Sequence, residues 1–278
     1  MYGIILAGGK GERLGSDQLP KPMISIHGKI TLETVVDAFS SSKYIKEYVA
    51  VVSDTSVNSH VPSLPASQYF GDSVKIGVNF FDKRGDFVLA YSDCPFITSS
   101  AIDTFLDNAT AMKIDEKQLL VIPVVRKRAF QAVLDFYPYN FYSSRETAWA
   151  HGTVFYLRAR EPLPEKVNRN INKFFERKSL MYGWTDLGKT VAGLLCCLKI
   201  KTALPITKLA LSSVGLSSKP SLEECSTILS TYFEIPTILY PTDDLRLGIE
   251  FDRPEQLRAI QEHYDRFMKA IQQNEHAS

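Results

Sequence analysis

The sequence has few cysteines and no excess charge of either sign, and each shortage excludes a class of protein. Its 278 residues include four cysteines, with no C-x-x-C pair and no histidine placed to complete a zinc set. A disulfide framework or a structural zinc site is therefore not expected. With 32 basic and 31 acidic residues the net charge is +1, so no bulk field favours nucleic acid, and any anion site must be local.

Long apolar runs are also missing. Val191–Leu198 is followed at once by Lys199, whereas a bilayer span needs about 20 apolar residues. The N-terminal apolar run has no basic region before it, so it is not a signal sequence and a cytoplasmic location is expected. Two interpretations of Val191–Leu198 stay open, because it suits either the domain's own core or a peripheral contact with a membrane or a second subunit of a homodimer.

Short apolar runs typical of strands buried on both faces recur in the first half of the chain. Helical patterns separate them, for example at Thr31–Phe39 and Ser100–Met112. Alternation of strand and helix predicts an α/β fold, with a doubly wound, mostly parallel sheet and helices on both faces. The predicted strands are Tyr2–Leu6, Tyr48–Val52, Phe87–Tyr91 and Leu119–Val125.

The strand rhythm stops after Pro162 and the chain becomes basic and helical. Helices are predicted at Asn168–Lys178, Asp186–Leu211 and Ser221–Tyr232, which together suggest a helical insertion. Residues 62–67 contain two prolines and are predicted to form a loop. Residues 272–278 are expected to form a frayed tail.

A glycine-rich segment follows the first predicted strand and reads LAGGKGERLG. The carboxyl end of a strand is where α/β proteins bind ligands. Glycines let backbone N–H groups approach an anion, while lysine and arginine add positive charge. The segment therefore predicts a polyphosphate site, formed by Leu6, Ala7, Gly8, Gly9, Lys10, Gly11 and Arg13.

Two better-known glycine motifs do not fit this segment. The dinucleotide pattern started at Gly9 needs a glycine where Leu14 stands, and the Walker pattern needs Ser or Thr where Gly11 stands. Hydride transfer and P-loop hydrolysis are therefore disfavoured.

Lys21 stands between Pro20 and Pro22, which restrict the local backbone, so we expect a rigidly held ammonium near the glycines. Asp93 follows a predicted strand at the same edge, where it could bind Mg²⁺ or instead begin a turn.

These residues together resemble the MobA-like NTP transferases. The segment LAGGKGERL followed by PKPMISIHGK is similar to nucleotidyltransferases such as N-acetylglucosamine-1-phosphate uridylyltransferase and molybdenum-cofactor nucleotidylyltransferases. The likeness continues at SDCPFI and at IEFDRPE. It implies a Rossmann-like sheet in one nucleotidyltransferase domain, residues 1–278, with a core at 1–158 and 233–262 and the insertion at about 159–232.

The resemblance also implies a reaction and further site residues. A phosphorylated small-molecule acceptor would attack the α-phosphorus of a nucleoside triphosphate and release pyrophosphate, with Mg²⁺ as cofactor and no role for nucleic acid. Lys21 and Arg13 would be catalytic, Asp93 and Asp252 would bind the metal, and Ser73 would lie near the base. Asp252 also suits a helix cap, and Glu250 is a reserve ligand.

The acceptor side resembles the family least. His151, Gly152 and Thr153 match a Gly-Gly-Asn segment but depart from it at His151 and Thr153. Arg126–Arg128 could bind the acceptor's phosphate or form a solvated basic loop. Two other functions stay open, a glycosyltransferase that uses a nucleotide sugar and a non-catalytic NTP-binding homologue. The first would carry a D-x-D motif where SDCP stands.

Overall fold

The structure is a computed structural model that describes residues 1–9, 14, 19–53, 61–82, 84–112, 114–181 and 219–277. Lys10, Gly11 and Arg13 lie outside the described residues, as do the predicted helix Asp186–Leu211 and the apolar run within it.

The described strands form a mixed nine-stranded sheet and a two-stranded hairpin. In the large sheet the order is β5-β4-β1-β6-β10-β7-β9-β8, with β11 paired to β7. The hairpin consists of β2 and β3. The strands are β1 Tyr2–Ala7, β2 Ser25–Ile26, β3 Lys29–Ile30, β4 Glu47–Val52, β5 Ser63–Pro65, β6 Gly85–Tyr91, β7 Gln118–Arg126, β8 Tyr142–Ser143, β9 Ala148–His151, β10 Val154–Ala159 and β11 Thr237–Thr242.

Helices cover both faces of this sheet. The buried apolar side chains of α1, α3, α6 and α7 belong to one hydrophobic cluster, and those of α2, α4 and α5 belong to a second cluster on the other face. The α/β fold with helices on both faces is thereby confirmed. The described helices are α1 Thr31–Ser40, α2 Phe70–Phe80, α3 Ser99–Ala111, α4 Glu165–Met181, α5 Leu222–Phe233, α6 Pro254–Glu262 and α7 Tyr264–Ala277.

The sheet is less parallel than the sequence predicts. Strands β5, β4, β1 and β6 are parallel neighbours, and β11 is parallel to β7. Strand β10, however, lies antiparallel between β6 and β7, and β8 and β9 add antiparallel pairs. Since β6 and β7 both run opposite to β10, they share a direction, and β1, β6, β7 and β11 end at one carboxyl edge.

One local expectation was wrong. Residues 63–65, expected in a loop, form the short edge strand β5, a position where proline is tolerated because one side needs no ladder hydrogen bond. In the structure α7 runs to Ala277 and so includes most of the tail that the sequence predicts to fray. Two contacts hold that end, because the Asn274 Nδ2 donates to the Ala129 carbonyl at 3.1 Å and Glu275 pairs with Arg246.

Among the helices that the structure describes, none combines the length and the apolar character that a bilayer crossing requires.

Candidate active site

Lys21 is held by its local backbone. It begins a single 3-10 turn, Lys21–Met23, with Pro20 as the N-cap and Pro22 inside the turn. The hydroxyl of Thr31, buried at the start of α1, donates to the Lys21 carbonyl oxygen at 2.9 Å. Because prolines restrict the backbone on both sides and Thr31 fixes the carbonyl, the direction of the lysine side chain is well determined.

The Lys21 ammonium lies between two carboxylates. Its Nζ donates to the Asp93 Oδ2 at 2.7 Å and also to the Asp252 Oδ1. The three side chains are 12%, 10% and 19% exposed. Asp93 follows β6 by two residues and Asp252 precedes α6. The structure thus joins three predicted site residues that are distant in sequence.

Burial and charge oppose each other within this cluster. Burial works to lower the pKa of Lys21, but Asp93 and Asp252 together hold that pKa above its ordinary value. Burial is also the largest influence on Asp93 and raises the pKa of its carboxyl group, Lys21 opposes the change, and Glu250 and Asp252 reinforce it. Carboxylates gathered in a buried place therefore depend on a nearby cation.

The donor set fits Mg²⁺ bound together with phosphates. The Asp93 Oδ1 is buried and accepts no hydrogen bond from any described residue, so this oxygen is available to a ligand. Among the described residues no group of three His, Cys, Asp or Glu side chains could hold a metal ion. Mg²⁺ commonly takes one or two carboxylates and completes its shell with water and substrate phosphates, which Asp93 and Asp252 would allow.

Asp252 is not the cap of the following helix, although the sequence allowed that interpretation. Arg253 is the N-cap of α6, and the Asp252 carboxylate contacts Lys21. The Gln256 Oε1 accepts from the Asp252 N–H at 2.9 Å and from the Arg253 N–H at 3.2 Å. Because Gln256 satisfies the orphan backbone donors at this end, the Asp252 carboxylate can face the lysine.

The glycines after β1 lie beside Lys21. Leu6 and Ala7 are buried at the end of β1, and Gly8 and Gly9 follow at the carboxyl edge. A Cβ placed on Gly9 would lie 3.5 Å from the Lys21 Cδ. The first two glycines of the predicted phosphate loop are therefore next to the lysine.

The three predicted acceptor residues differ in accessibility. Gly152 and Thr153 are buried, and the Thr153 hydroxyl donates to the Leu247 carbonyl at 3.1 Å. The His151 side chain is 14% exposed, and its Nε2 lies 3.4 Å from the Glu250 Oε1. Of the three residues, His151 is therefore the one whose side chain can contact a ligand, while Gly152 and Thr153 shape the backbone.

Ser73 supports the loop that leads into α2. Its hydroxyl accepts from the Ser67 N–H at 3.1 Å and donates to the Ser67 carbonyl at 3.3 Å. Ala66 in the same loop packs on the glycine segment, because a Cβ on Gly8 would lie 2.9 Å from the Ala66 Cβ. Ser73 is thus linked to the phosphate loop through Ser67 and Ala66, and direct contact with a nucleotide stays a prediction.

Helix α4 covers the start of α2. The Asn172 Oδ1 accepts from the Gly71 N–H at 2.6 Å and from the Asp72 N–H at 3.3 Å. Asn168 and Asn172 both donate to the Asp72 Oδ1. The segment expected to lie near the base is therefore joined to the first helix of the predicted insertion.

Three residues that support the site were missed in the sequence. Thr31 fixes Lys21 and Gln256 fixes the backbone at Asp252. The Tyr137 hydroxyl donates to the Glu250 carbonyl at 2.5 Å. Gln256 had a readable signal, since a glutamine at the third position of a helix often bonds back to the N-cap. Thr31 and Tyr137 act through tertiary contacts that have no local signature.

Gly152 is expected to be required for packing. A Cβ there would lie 2.5 Å from the Pro123 Cγ and 2.8 Å from the Pro123 carbonyl oxygen. Gly152→Ala should therefore lower the free energy of unfolding in urea by about 1–3 kcal/mol. Gly9→Ala, with its nearest atom at an ordinary 3.5 Å, is the control and should change it by less than about 1 kcal/mol. Equal values for the two variants would contradict the close packing.

The Lys21 ammonium and the glycine backbone lie at the carboxyl edge of an α/β sheet, an arrangement that suits an anionic ligand such as a phosphate group. The family is more specific. A family model for the MobA-like NTP transferase domain matches residues 3–162, which is more than half of the chain. The chain therefore belongs to the MobA-like NTP transferases, a family of nucleotidyltransferases.

Solved structures of other proteins are similar to this chain. A hypothetical transferase from Thermus thermophilus is 21% identical, with a TM-score of 0.64, and the match covers 92% of this chain and 98% of that one. Molybdopterin-guanine dinucleotide biosynthesis protein A from Archaeoglobus fulgidus is 14% identical, with a TM-score of 0.48 and coverage of 95% and 99%. No curated protein matches the sequence. The first likeness supports the fold alone.

Proposed function

We propose that the chain transfers a nucleoside monophosphate from a nucleoside triphosphate to a phosphorylated small-molecule acceptor, with release of pyrophosphate and with Mg²⁺ as cofactor. The observation that carries this proposal is the Lys21 ammonium between Asp93 and Asp252, beside the glycines that follow β1. One cation and two carboxylates at one point match the needs of a triphosphate and its metal ion.

The donor side would work by positioning and charge. Backbone N–H groups of Gly8, Gly9 and Gly11, with Arg13, bind the β- and γ-phosphates. Asp93 and Asp252 would hold Mg²⁺, which would supply neutralising charge to the triphosphate when it is bound. Their buried position keeps water from competing with these contacts.

Lys21 would act at the reacting phosphorus. An oxygen of the acceptor's phosphate attacks the α-phosphorus, the bond to the β-phosphate oxygen breaks, and pyrophosphate leaves. Lys21 donates a hydrogen bond to a non-bridging α-phosphate oxygen, where it stabilises the charge of the transition state. The acceptor phosphate is an anion near neutral pH, so no side chain needs to remove a proton and correct placement supplies much of the rate.

The acceptor would lie on the His151 side of the cluster. The His151 Nε2 lies 3.4 Å from the Glu250 Oε1, and the charge of Glu250 helps to raise the pKa of Asp93, so His151 and Glu250 would line the acceptor side near the transfer point. Gly152 and Thr153 hold the backbone next to His151 through Pro123 and Leu247.

We also infer that the chain is a single nucleotidyltransferase domain with the insertion at about residues 159–232. The packing of α4 on α2 supports this inference, because Asn168 and Asn172 join the first insertion helix to the core. Helix α5 contributes Phe233 to the hydrophobic cluster that also contains Val74 and Val78 of α2.

A pyrophosphate-release screen tests the function. CTP, UTP, GTP and ATP are each combined with phosphorylated sugars, alcohols and cofactor precursors, with Mg²⁺ or with EDTA. We expect pyrophosphate from one triphosphate with one class of acceptor, and only with Mg²⁺. Nucleoside diphosphate released from a nucleotide sugar would instead indicate a glycosyltransferase. Triphosphate binding without turnover on any acceptor would indicate a non-catalytic homologue.

A further inference from the structure

Two arginines share one carboxylate at the carboxyl edge of the sheet. The Arg126 Nη1 donates to the Asp243 Oδ2 at 2.7 Å. The Arg128 Nε donates to the Asp243 Oδ1 at 2.8 Å, and its Nη2 donates to the Oδ2 at 2.5 Å. Asp243 follows β11, and Arg126 ends β7. The three groups form what we name the Arg126 cluster: Arg126, Arg128 and Asp243.

The Arg126 cluster keeps positive charge and open donors. Two guanidinium groups face one carboxylate, and the adjacent Lys127 is exposed. Within the described part of the chain, Arg126 forms hydrogen bonds through Nη1 alone, which leaves its Nε and Nη2 donors for a ligand. The side chains of Arg126 and Arg128 are 28% and 70% exposed. Guanidinium donors held by a carboxylate are suited to bind phosphate or carboxylate groups in fixed geometry.

Strand register places this cluster at the same edge of the sheet as the transfer site. Tyr156 of β10 pairs with Val88 of β6 on one side and with Val121 of β7 on the other. Arg126, five residues after Val121, ends β7, and Asp93, five residues after Val88, lies two residues past the end of β6, so both are at the same carboxyl edge. Strands β6 and β7 are two strand spacings apart, which is about 10 Å.

The surface between the two sites is aromatic and polar. Arg126 pairs directly with Trp149, and Trp149 pairs with Tyr142, so these side chains share one face. The rings of Trp149 and Tyr142 stack at 4.9 Å. His151 is two residues after Trp149 on the same face, and its Nε2 lies 3.4 Å from the Glu250 Oε1. A small organic acceptor could therefore extend along this face from Asp93 to Arg126.

We propose that the Arg126 cluster is a second anion subsite, and that the acceptor carries a phosphate or carboxylate group at the end opposite to its attacking phosphate. This inference rests on the proposed function, since the attacking phosphate lies at Lys21. It narrows the acceptor to molecules with anionic groups at both ends. Sugars and alcohols that carry one phosphate and no second anionic group would leave the two arginines without an anion to bind.

Calorimetric titration of the full chain tests the subsite without turnover. The probes are butanediol bisphosphate, the phosphate ester of hydroxypentanoic acid and butyl phosphate, which carry a second phosphate, a carboxylate and no second anion. Each is titrated with Mg²⁺, with and without a non-hydrolysable triphosphate analogue. We expect a probe with two anions to bind about tenfold tighter than butyl phosphate. The tighter of those two probes identifies the second group.

Variants assign any such advantage to the arginines. The double variant Arg126→Gln, Arg128→Gln should lose the tighter binding of the probes with two anions. The triple variant that also carries Asp243→Asn should not regain it, which excludes repulsion by the Asp243 carboxylate as the cause of the loss. Arg160→Gln, an exposed arginine after β10 at the opposite edge, should keep the advantage. Thermal unfolding checks that each variant is folded.

Equal binding of all three probes to the wild-type chain, or an advantage that survives in the double variant, overturns the subsite. Failure of the proposed function looks different, because then no triphosphate binds with Mg²⁺ and no pyrophosphate is released. In that case the titrations without nucleotide still test whether the two arginines bind the second anion.

Discussion

Lys21→Met is expected to lower turnover roughly 100- to 1,000-fold, the effect typical of losing one preorganised donor to a transition state. The Kd for the triphosphate should change by less than about tenfold, because the glycine backbone and the Mg²⁺ that Asp93 and Asp252 would hold still bind the phosphates. Methionine keeps the apolar stem, which lies beside Gly9. Single-turnover pyrophosphate release and equilibrium binding of the triphosphate measure the two quantities separately.

Lys117→Met is the matched control for this variant. Lys117 is 72% exposed, pairs with Glu161 and precedes β7 at the edge opposite to the site, so its loss should leave turnover unchanged. Thermal unfolding with and without Mg²⁺ checks that the Lys21 variant is folded, since Asp93 and Asp252 then lack their ammonium. A folded variant with wild-type turnover would remove Lys21 from the mechanism.

Asp93→Asn is expected to separate activity from stability. Turnover should fall roughly a thousandfold, because a bound metal ion contributes several kcal/mol of transition-state stabilisation and about 1.4 kcal/mol corresponds to a factor of ten. The thermal midpoint at about pH 8 should be equal to or above that of the wild type. Burial raises the pKa of Asp93, so the ionised form destabilises the folded chain, and asparagine avoids that charge while Asp252 still pairs with Lys21.

The sign of the pH dependence follows from the direction of that pKa shift. A carboxyl group whose pKa is raised on folding holds its proton more tightly in the folded chain. Its contribution to stability is full below the unfolded-state pKa and is lost as the pH rises through the folded-state pKa. The difference between the thermal midpoints of Asp93→Asn and the wild type should therefore increase in favour of the variant as the pH rises. Asp37→Asn, an exposed position on α1, is the control and should show neither the loss of turnover nor this increase.

The fold was predictable where local pattern decides it. The apolar runs at β1, β4, β6 and β7 lie within one or two residues of the observed strands, because strands covered on both faces are apolar throughout. The direction of β10 was not predictable, since all six of its residues are buried and such a run carries no sign of its neighbours' orientation. Strand β5 was missed because Pro65 within it and Pro62 before it are typical of a loop.

The site was predictable where one short segment carries it. Lys21 between two prolines and Asp93 after an apolar run are visible in the sequence, and Asp252 was found through the family resemblance. Their convergence on one nitrogen depends on packing of segments far apart in the chain. The Arg126 cluster likewise requires the pairing of β7 with β11, and sequence alone left its basic residues open between a phosphate site and a solvated loop.

The position of Lys21 also bears on how strongly the two proposed ligands depend on each other. In the structure Lys21 is the counterion of Asp93 and Asp252, so under the proposed function a metal ion that binds alone would displace an ammonium that gains no other anion in exchange. A triphosphate would offer that anion to Lys21 while the carboxylates accept the metal. By thermodynamic linkage each ligand would then strengthen the binding of the other, so Mg²⁺ and the triphosphate would bind tightly together and weakly alone.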